Sequence, residues 1–254
     1  MHQQIARLLQ IMEKLRHPEE GCEWDRAQTF KTIVPHTIEE AYEVADAVER
    51  NDIEDIRNEL GDLLFQVVFQ SRIAEETGQF NFEDVARAMC DKLEARHPHI
   101  FGDEDLPGGM REERWEALKA SERAEKGADS ALDGVALALP ALLRAQKLQK
   151  RAARTGFDWP DTQGPLDKIS EEIAELESAT SDEARIEEAG DFLFAAVNLV
   201  RAYGINAEEA LRAANVKFER RFRAMEALAG NKFARLSLEE QEELWQQVKR
   251  AEKS

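Results

Sequence analysis

Hydrophobic positions along this chain recur at helical spacing. In residues 59–69, ELGDLLFQVVF, Leu60, Leu63, Leu64, Val67 and Val68 form a wide apolar stripe on a 3.6-residue helix, and Phe65 and Phe69 cover much of what remains. Glu59 and Asp62, three apart, share the one acidic strip of that helix. A helix apolar nearly all round is expected to be buried, and carboxylates carried on it need partners. Residues 188–199, EAGDFLFAAVNL, repeat the pattern with Glu188 and Asp191. No stretch alternates convincingly at period two, and 13 Gly and 7 Pro are few for a protein of many short strands. The pattern predicts an all-α protein. Its opening, MHQQIARLLQIMEKLRHPEEG, reads as an amphipathic helix and not as a signal peptide, because charges interrupt any apolar core.

The repetition extends well beyond the acidic helices. GCEWD (21–25) answers GFDWP (156–160), and HTIEEAYEVADA (36–47) answers KISEEIAELESA (168–179). KLEAR (92–96) answers KFERR (217–221), and RWEALK (114–119) answers LWQQVK (244–249). Conserved order at a nearly constant separation predicts two tandem helical domains, 1–128 and 129–254, with a polar junction in EKGADSALDG (125–134). Each domain is expected to hold an amphipathic helix, a Gly-x-x-Trp loop and two facing acidic helices. A basic helix and a last helix bearing Trp and Lys follow. Gly78 and Gly204 should end the second acidic helix, with Asn81 and Asn206 capping the next.

Charge narrows the chemistry. A net charge of −18 argues against nucleic acid or an anionic membrane as partner, while leaving room for a small phosphorylated ligand where metal ions and a few cations reverse the field. No apolar run approaches membrane-spanning length. Two cysteines, Cys22 and Cys90, without metal-type spacing, suggest a reducing cytoplasm.

In the second domain Lys168, Glu172 and Glu175 lie on one helix face, and Glu188 and Asp191 on one face of the next. Two such helices facing each other make an oxygen cage suited to Mg²⁺, with Mn²⁺ as the substitute. All five His and both Cys fall in the first domain, so the second offers neither a zinc-type set, nor Glu-x-x-His pairs, nor a Ser-His or Cys-His nucleophile. A phosphate-binding loop of the Gly-x-x-x-x-Gly-Lys kind is absent, leaving side chains and metal to hold any phosphate. Lys217 and Arg221, at i and i+4, are spaced to grip one polyphosphate, although a solvated basic face has the same spacing. Trp159 and Trp245 can stack on a base, but core packing is the usual role of a lone Trp. His97 and His99, beside Pro98, read as a helix C-terminus complementing its dipole, not as a chelating pair.

The motif Glu-Glu-x-x-Glu followed by Glu-x-x-Asp, here Glu171, Glu172 and Glu175 with Glu188 and Asp191, resembles the MazG family of all-α nucleoside triphosphate pyrophosphohydrolases. It occurs again as Glu39, Glu40 and Glu43 with Glu59 and Asp62, so the resemblance covers essentially the whole chain in a tandem two-domain form. It implies Mg²⁺-dependent hydrolysis of NTPs or dNTPs to the monophosphate and pyrophosphate, and a homodimer of intertwined helical bundles. The implied catalytic and metal-binding acids are Glu172, Glu175, Glu188 and Asp191, with Glu40, Glu43, Glu59 and Asp62 as a second set. The implied nucleotide contacts are Lys168, Glu171, Arg185, Asn215, Lys217, Arg221 and Trp245. The halves are not equivalent, because His36 takes the place of Lys168 and Cys90 that of Asn215. The second domain is therefore expected to be the main catalyst and the first weaker or structural. Two other readings compete: a hydrolase of guanosine alarmones or other nucleotide-diphosphate linkages, and an acidic helical scaffold whose carboxylates are only solvated.

Overall fold

Side-chain caps and short turns set the frame of the chain. The computed structural model describes residues 2–102 and 129–252, together with 118, 121 and 127. Every regular element among them is helical. The chain divides into two compact units, 1–118 and 119–254. The expected boundary at 128/129 lies a little further on, where most neighbouring residues, including 114–117 and 119 of the RWEALK stretch and 125, 126 and 128 of EKGADSALDG, are outside the described ones.

The first unit contains α1 (His2–Leu15), a short α2 (Glu23–Ala27), α3 (Phe30–Glu49), α4 (Ile53–Glu76), α5 (Phe82–Arg96) and a single turn, α6 (Pro98–Phe101). Thr29 caps α3 by accepting from the Thr32 amide, and the Thr32 hydroxyl oxygen accepts from the Thr29 amide in return. This reciprocal cap starts α3 upstream of Pro35, which sits inside the helix and forgoes one backbone bond. Asp52 caps α4, so a three-residue turn joins α3 and α4 into a hairpin that aligns their acidic faces. Gly78, at φ +68°, ends the turn after α4, and Asn81 caps α5 as expected.

The first unit's core is Met12, Ile33, Val68, Phe69 and Ile73, with Leu8, Leu9 and Phe65 packed around it. One cation crosses its edge. Buried Arg16 donates Nη2 to Glu76 at 2.7 Å, donates Nη1 to the carbonyls of Asp25 and Gln28, and lies 5.4 Å from the Phe69 ring centre. Burial alone would raise the Glu76 carboxyl, but hydrogen bonds from Arg16 and then Arg72 hold it below its usual value. Removing one partner of such a pair strands the other. Arg16→Met is expected to cost about 2–3 kcal/mol, less than for a fully buried pair because Glu76 is partly exposed. Thermal unfolding of the full chain checks this, and an unchanged midpoint would contradict it.

The second unit contains α7 (Ala141–Ala153), α8 (Gln163–Ser178), α9 (Asp182–Ala202), α10 (Ala207–Ala229), a 3₁₀ segment (Gly230–Arg235) and α11 (Leu238–Ala251). Pro165 lies in the first turn of α8, where a missing N–H costs no helix bond. Ser181 caps α9, again after a short turn, and α8 and α9 pack along their length. Gly204, at φ +75°, follows α9, and Asn206 caps α10. Buried Gln146 ties α7 to this cap: its Nε2 donates to Ile205 O and its Oε1 accepts from Ala207 N. That bond satisfies one of the amides a helix start leaves over. Among the described residues, no helix is long and apolar enough to cross a membrane.

The expected burial of the acidic helices is only partly met within one chain. Val197 is buried, whereas Leu193 is 54% exposed and Ile186 75% exposed. Leu60 on α4 is likewise half exposed.

Candidate metal centre and adjoining cavity

Carboxylates in each unit gather where the two helices of its acidic hairpin face each other. In the second unit Glu172, Glu188 and Asp191 each offer a carboxylate oxygen, and these oxygens lie within 4.8 Å of one another. The Glu172 side chain is 2% exposed. Its Oε1 accepts from Lys168 Nζ at 2.5 Å, and its Oε2 has no partner among the described residues. Lys168 also reaches Glu171 at 3.1 Å, and the two carboxylates, Glu172 foremost, strengthen its hold on the proton.

The Glu188 carboxyl is pushed above its usual value, first by burial and then by the charges of Glu175 and Glu172. Glu175 stands outside the tight group of three, yet its charge is felt there. In the first unit the tight group is Glu40, Glu43 and Glu59, with Asp62 outside it. Glu40 and Glu59 are raised too, burial being the largest cause for both, and Asp62 contributes to each. Each hairpin thus brings together three of its four expected acids.

A buried carboxylate oxygen without a partner, beside carboxylates that resist ionisation, is relieved by a cation. An all-oxygen donor set suits a hard divalent ion. Either acid group can hold one.

The second unit adds a cavity of about 640 Å³ beside its acids. Lys168, Glu172 and Asp191 belong to its wall, so the cavity opens onto the acid group. Phe157, Trp159 and Phe194 supply aromatic surface. Trp159 is therefore a cavity wall, half exposed, and not a core residue. Its indole lies against Gly164 in the first turn of α8, where an added Cβ would come within 2.4 Å of the ring. Arg201 of α9 anchors the loop that carries Trp159: its guanidinium donates Nη1 to Asp158 at 3.0 Å and Nη2 to the other carboxylate oxygen. This pairing, foremost, holds the Asp158 carboxyl below the usual range.

Gln149, Asn198 and Arg201 escaped the sequence reading. A signal existed for two of them, since Asp191, Asn198 and Arg201 continue one face of α9 at helical spacing.

Of the expected nucleotide contacts, Lys168 lies in the cavity wall. Glu171 is half exposed beside it. Arg185 pairs with Asp182 at 3.0 Å in the first turn of α9. Asn215 and Lys217 are exposed on α10. Arg221 donates Nε and Nη2 to one Glu252 oxygen, at 2.9 and 2.8 Å, and its guanidinium lies 5.5 Å from the Trp245 ring centre. Arg220 takes the other Glu252 oxygen at 2.7 Å. Arg221 and then Arg220 hold the Glu252 carboxyl below its usual value.

The corresponding part of the first unit is built differently. Trp24 lies edge-on to His36 and to fully buried Phe69, at 6.2 and 6.5 Å between ring centres. His36 Nδ1 is 3.6 Å from Glu39. His97 Nδ1 sits 2.8 Å from Leu93 O at the end of α5, in keeping with a helix-terminal role.

Facing acidic helices, with a metal-competent carboxylate group beside an aromatic cavity, mark the second unit of this all-α protein. Comparison with known proteins makes this specific. The MazG nucleotide pyrophosphohydrolase domain matches residues 28–101, which span the first unit's acidic hairpin. The whole chain is 54% identical to the nucleoside triphosphate pyrophosphohydrolase of Escherichia coli (strain K12), over 98% of both proteins. It is 43% identical to the nucleoside triphosphate pyrophosphohydrolase/pyrophosphatase MazG of Thermotoga maritima, over 95% of this chain and 94% of that one. It is also 38% identical, along its full length, to the uncharacterized protein YabN of Bacillus subtilis, covering 53% of that protein. The chain belongs to the MazG family.

Proposed function

We propose that the protein hydrolyses nucleoside triphosphates to the monophosphate and pyrophosphate, by attack of water at the α-phosphorus, with Mg²⁺ held by Glu172, Glu188 and Asp191. The observation that carries this reading is the buried, unpartnered Glu172 Oε2 within a group of three carboxylates at the mouth of an aromatic cavity. The relatives' names supply the substrate class. Bound there, the metal would neutralise phosphate oxygens and supply a water of lowered pKa.

The protein's own groups have separate tasks. Lys168 fixes the buried Glu172 carboxylate and places a cation beside the phosphates. Glu175, exposed and outside the tight group, is free to accept the proton of the attacking water. The cavity beyond takes the nucleoside. Hydrolysis in ¹⁸O-labelled water is expected to place the label in the nucleoside monophosphate. Release of nucleoside diphosphate and orthophosphate would put the attack at another phosphorus.

The second unit carries the main site in this reading. With Glu59 matched to Glu188, Phe69 falls where Asn198 stands, so the first unit fills with an aromatic ring what the second leaves as a polar wall. The first unit is then a repeat kept mainly for structure. Exposed Leu193 and Ile186 on α9 supply an apolar surface for a second copy of the chain. On this reading the protein works as a homodimer. Sedimentation at micromolar concentration is expected to give twice the monomer mass, and a monomer alone would exclude it.

A further inference from the structure

Gln149 on α7 is 6% exposed and belongs to the wall of the cavity. Its Nε2 donates to Phe194 O at 2.8 Å. A carbonyl can only accept, so the amide cannot turn over without setting oxygen against oxygen. Oε1 is therefore fixed as an acceptor, and no donor among the described residues meets it. A buried acceptor left unmatched costs stability, so the position is explained by something outside the chain that donates.

The rest of the wall defines that donor. Asn198 Oδ1 accepts from Arg201 Nε and Nη2, at 3.0 and 2.6 Å, which fixes the amide and keeps its amino group as a donor. Arg201 is in turn neutralised by Asp158, so it brings no uncompensated cation to the wall. Trp159, packed against Gly164, and Phe157 add aromatic surface. A flat, neutral heterocycle with an N–H and an acceptor on its edge matches this wall, and an anion does not.

We infer that Gln149 reads the base of the bound nucleotide, its fixed Oε1 accepting a hydrogen bond from an N–H on the base edge. This rests on the nucleotide reading of the same site. Gln149 acts as a specificity residue, and it takes no part in the phosphate chemistry.

The test compares ATP with ribose 5′-triphosphate, which lacks a base, in the wild-type protein and in Gln149→Met. The wild type is expected to favour ATP, and the variant to lose about tenfold of that preference in kcat/KM, chiefly through KM. An unchanged preference overturns the inference. AMP binding, followed by tryptophan fluorescence, should weaken by a similar factor in the variant, and equal affinities would mean that water alone satisfies Gln149. If neither triphosphate is hydrolysed while AMP binding still depends on Gln149, the proposed reaction falls and the inference stands. A measurement on the wild type guards against a variant that fails to fold: purine riboside triphosphate against ATP, and 3-methyluridine triphosphate against UTP. Both analogues lack an edge N–H, and indifference to the loss in both pairs rejects the inference.

Discussion

Glu188→Gln is expected to remove most of the turnover, with kcat/KM falling roughly 100-fold or more, while Glu59→Gln leaves much of it. Both changes keep the side chain's shape and delete one negative charge. Glu188 belongs to the group that includes buried Glu172, beside Lys168 and the open cavity. Losing its charge weakens a candidate metal ligand where the phosphates would lie. Glu59 belongs to a similar triad, but further along the same helix Phe69 is packed into the core where the second unit has Asn198 in its cavity wall, and the position matching Lys168 is His36. An imidazole lacks the long, flexible ammonium arm of lysine and is a poorer partner for a polyphosphate. Steady-state turnover of both purified variants, each with fold and oligomeric state checked, decides the matter. Equal losses would indicate two working or coupled sites, and a loss confined to Glu59→Gln would reverse the assignment.

Chelation with EDTA is expected to abolish activity, and Mg²⁺ to stabilise the protein more at pH 7.5 than at pH 5.5. The sign follows from Glu188, Glu40 and Glu59, whose carboxyls are all raised above the usual 4.5, burial being the largest cause and neighbouring carboxylates adding to it. For a carboxyl raised in the folded state, the stabilising contribution is full below about 4.5 and is lost as pH rises through the raised value. The metal-free protein therefore carries its greatest electrostatic strain near neutrality. A divalent cation relieves that strain and competes with protons for the same oxygens, so its benefit grows with pH. Thermal midpoints with Mg²⁺ and with EDTA at the two pH values measure it. A shift that shrinks as pH rises, or full activity in EDTA, would remove the metal from the reading.

Much of the helical frame was legible because its signals are local. Apolar spacing marked α4 and α9, and Gly78, Asn81, Gly204 and Asn206 occupy the turn and cap positions expected of them. The acids were legible for the same reason: three-residue spacing puts Glu188 and Asp191 on one helix face, and a short turn brings the partner helix opposite. The start of α3 was not. The reciprocal bonds of Thr29 and Thr32 carry the helix through Pro35, against the local preference of proline. Which three of four acids draw together depends on side-chain direction, which spacing alone does not fix. The polar wall was the least visible part. Gln149 meets Phe194 through a backbone carbonyl 45 residues away, and Arg16 meets Glu76 across 60. Carbonyl partners leave no trace in residue type, and pairs that distant leave no periodicity.

The Glu252 carboxylate gives Arg221 a resident anion, and this changes what recognition by Arg221 would mean. A polyphosphate arriving there would have to take part in an exchange, with strength set by the difference between two anions for one guanidinium. Arg220 holds the opposite oxygen of the same carboxylate, so the outgoing anion keeps a partner and need not be fully solvated as it leaves. Exchange of this kind filters by charge: a dense, multiply charged phosphate chain displaces a single carboxylate more readily than a singly charged phosphodiester does. Glu252, the residue that caps the C-terminus of α11, would then act as a built-in competitor, keeping the basic face of α10 quiet toward weak anions.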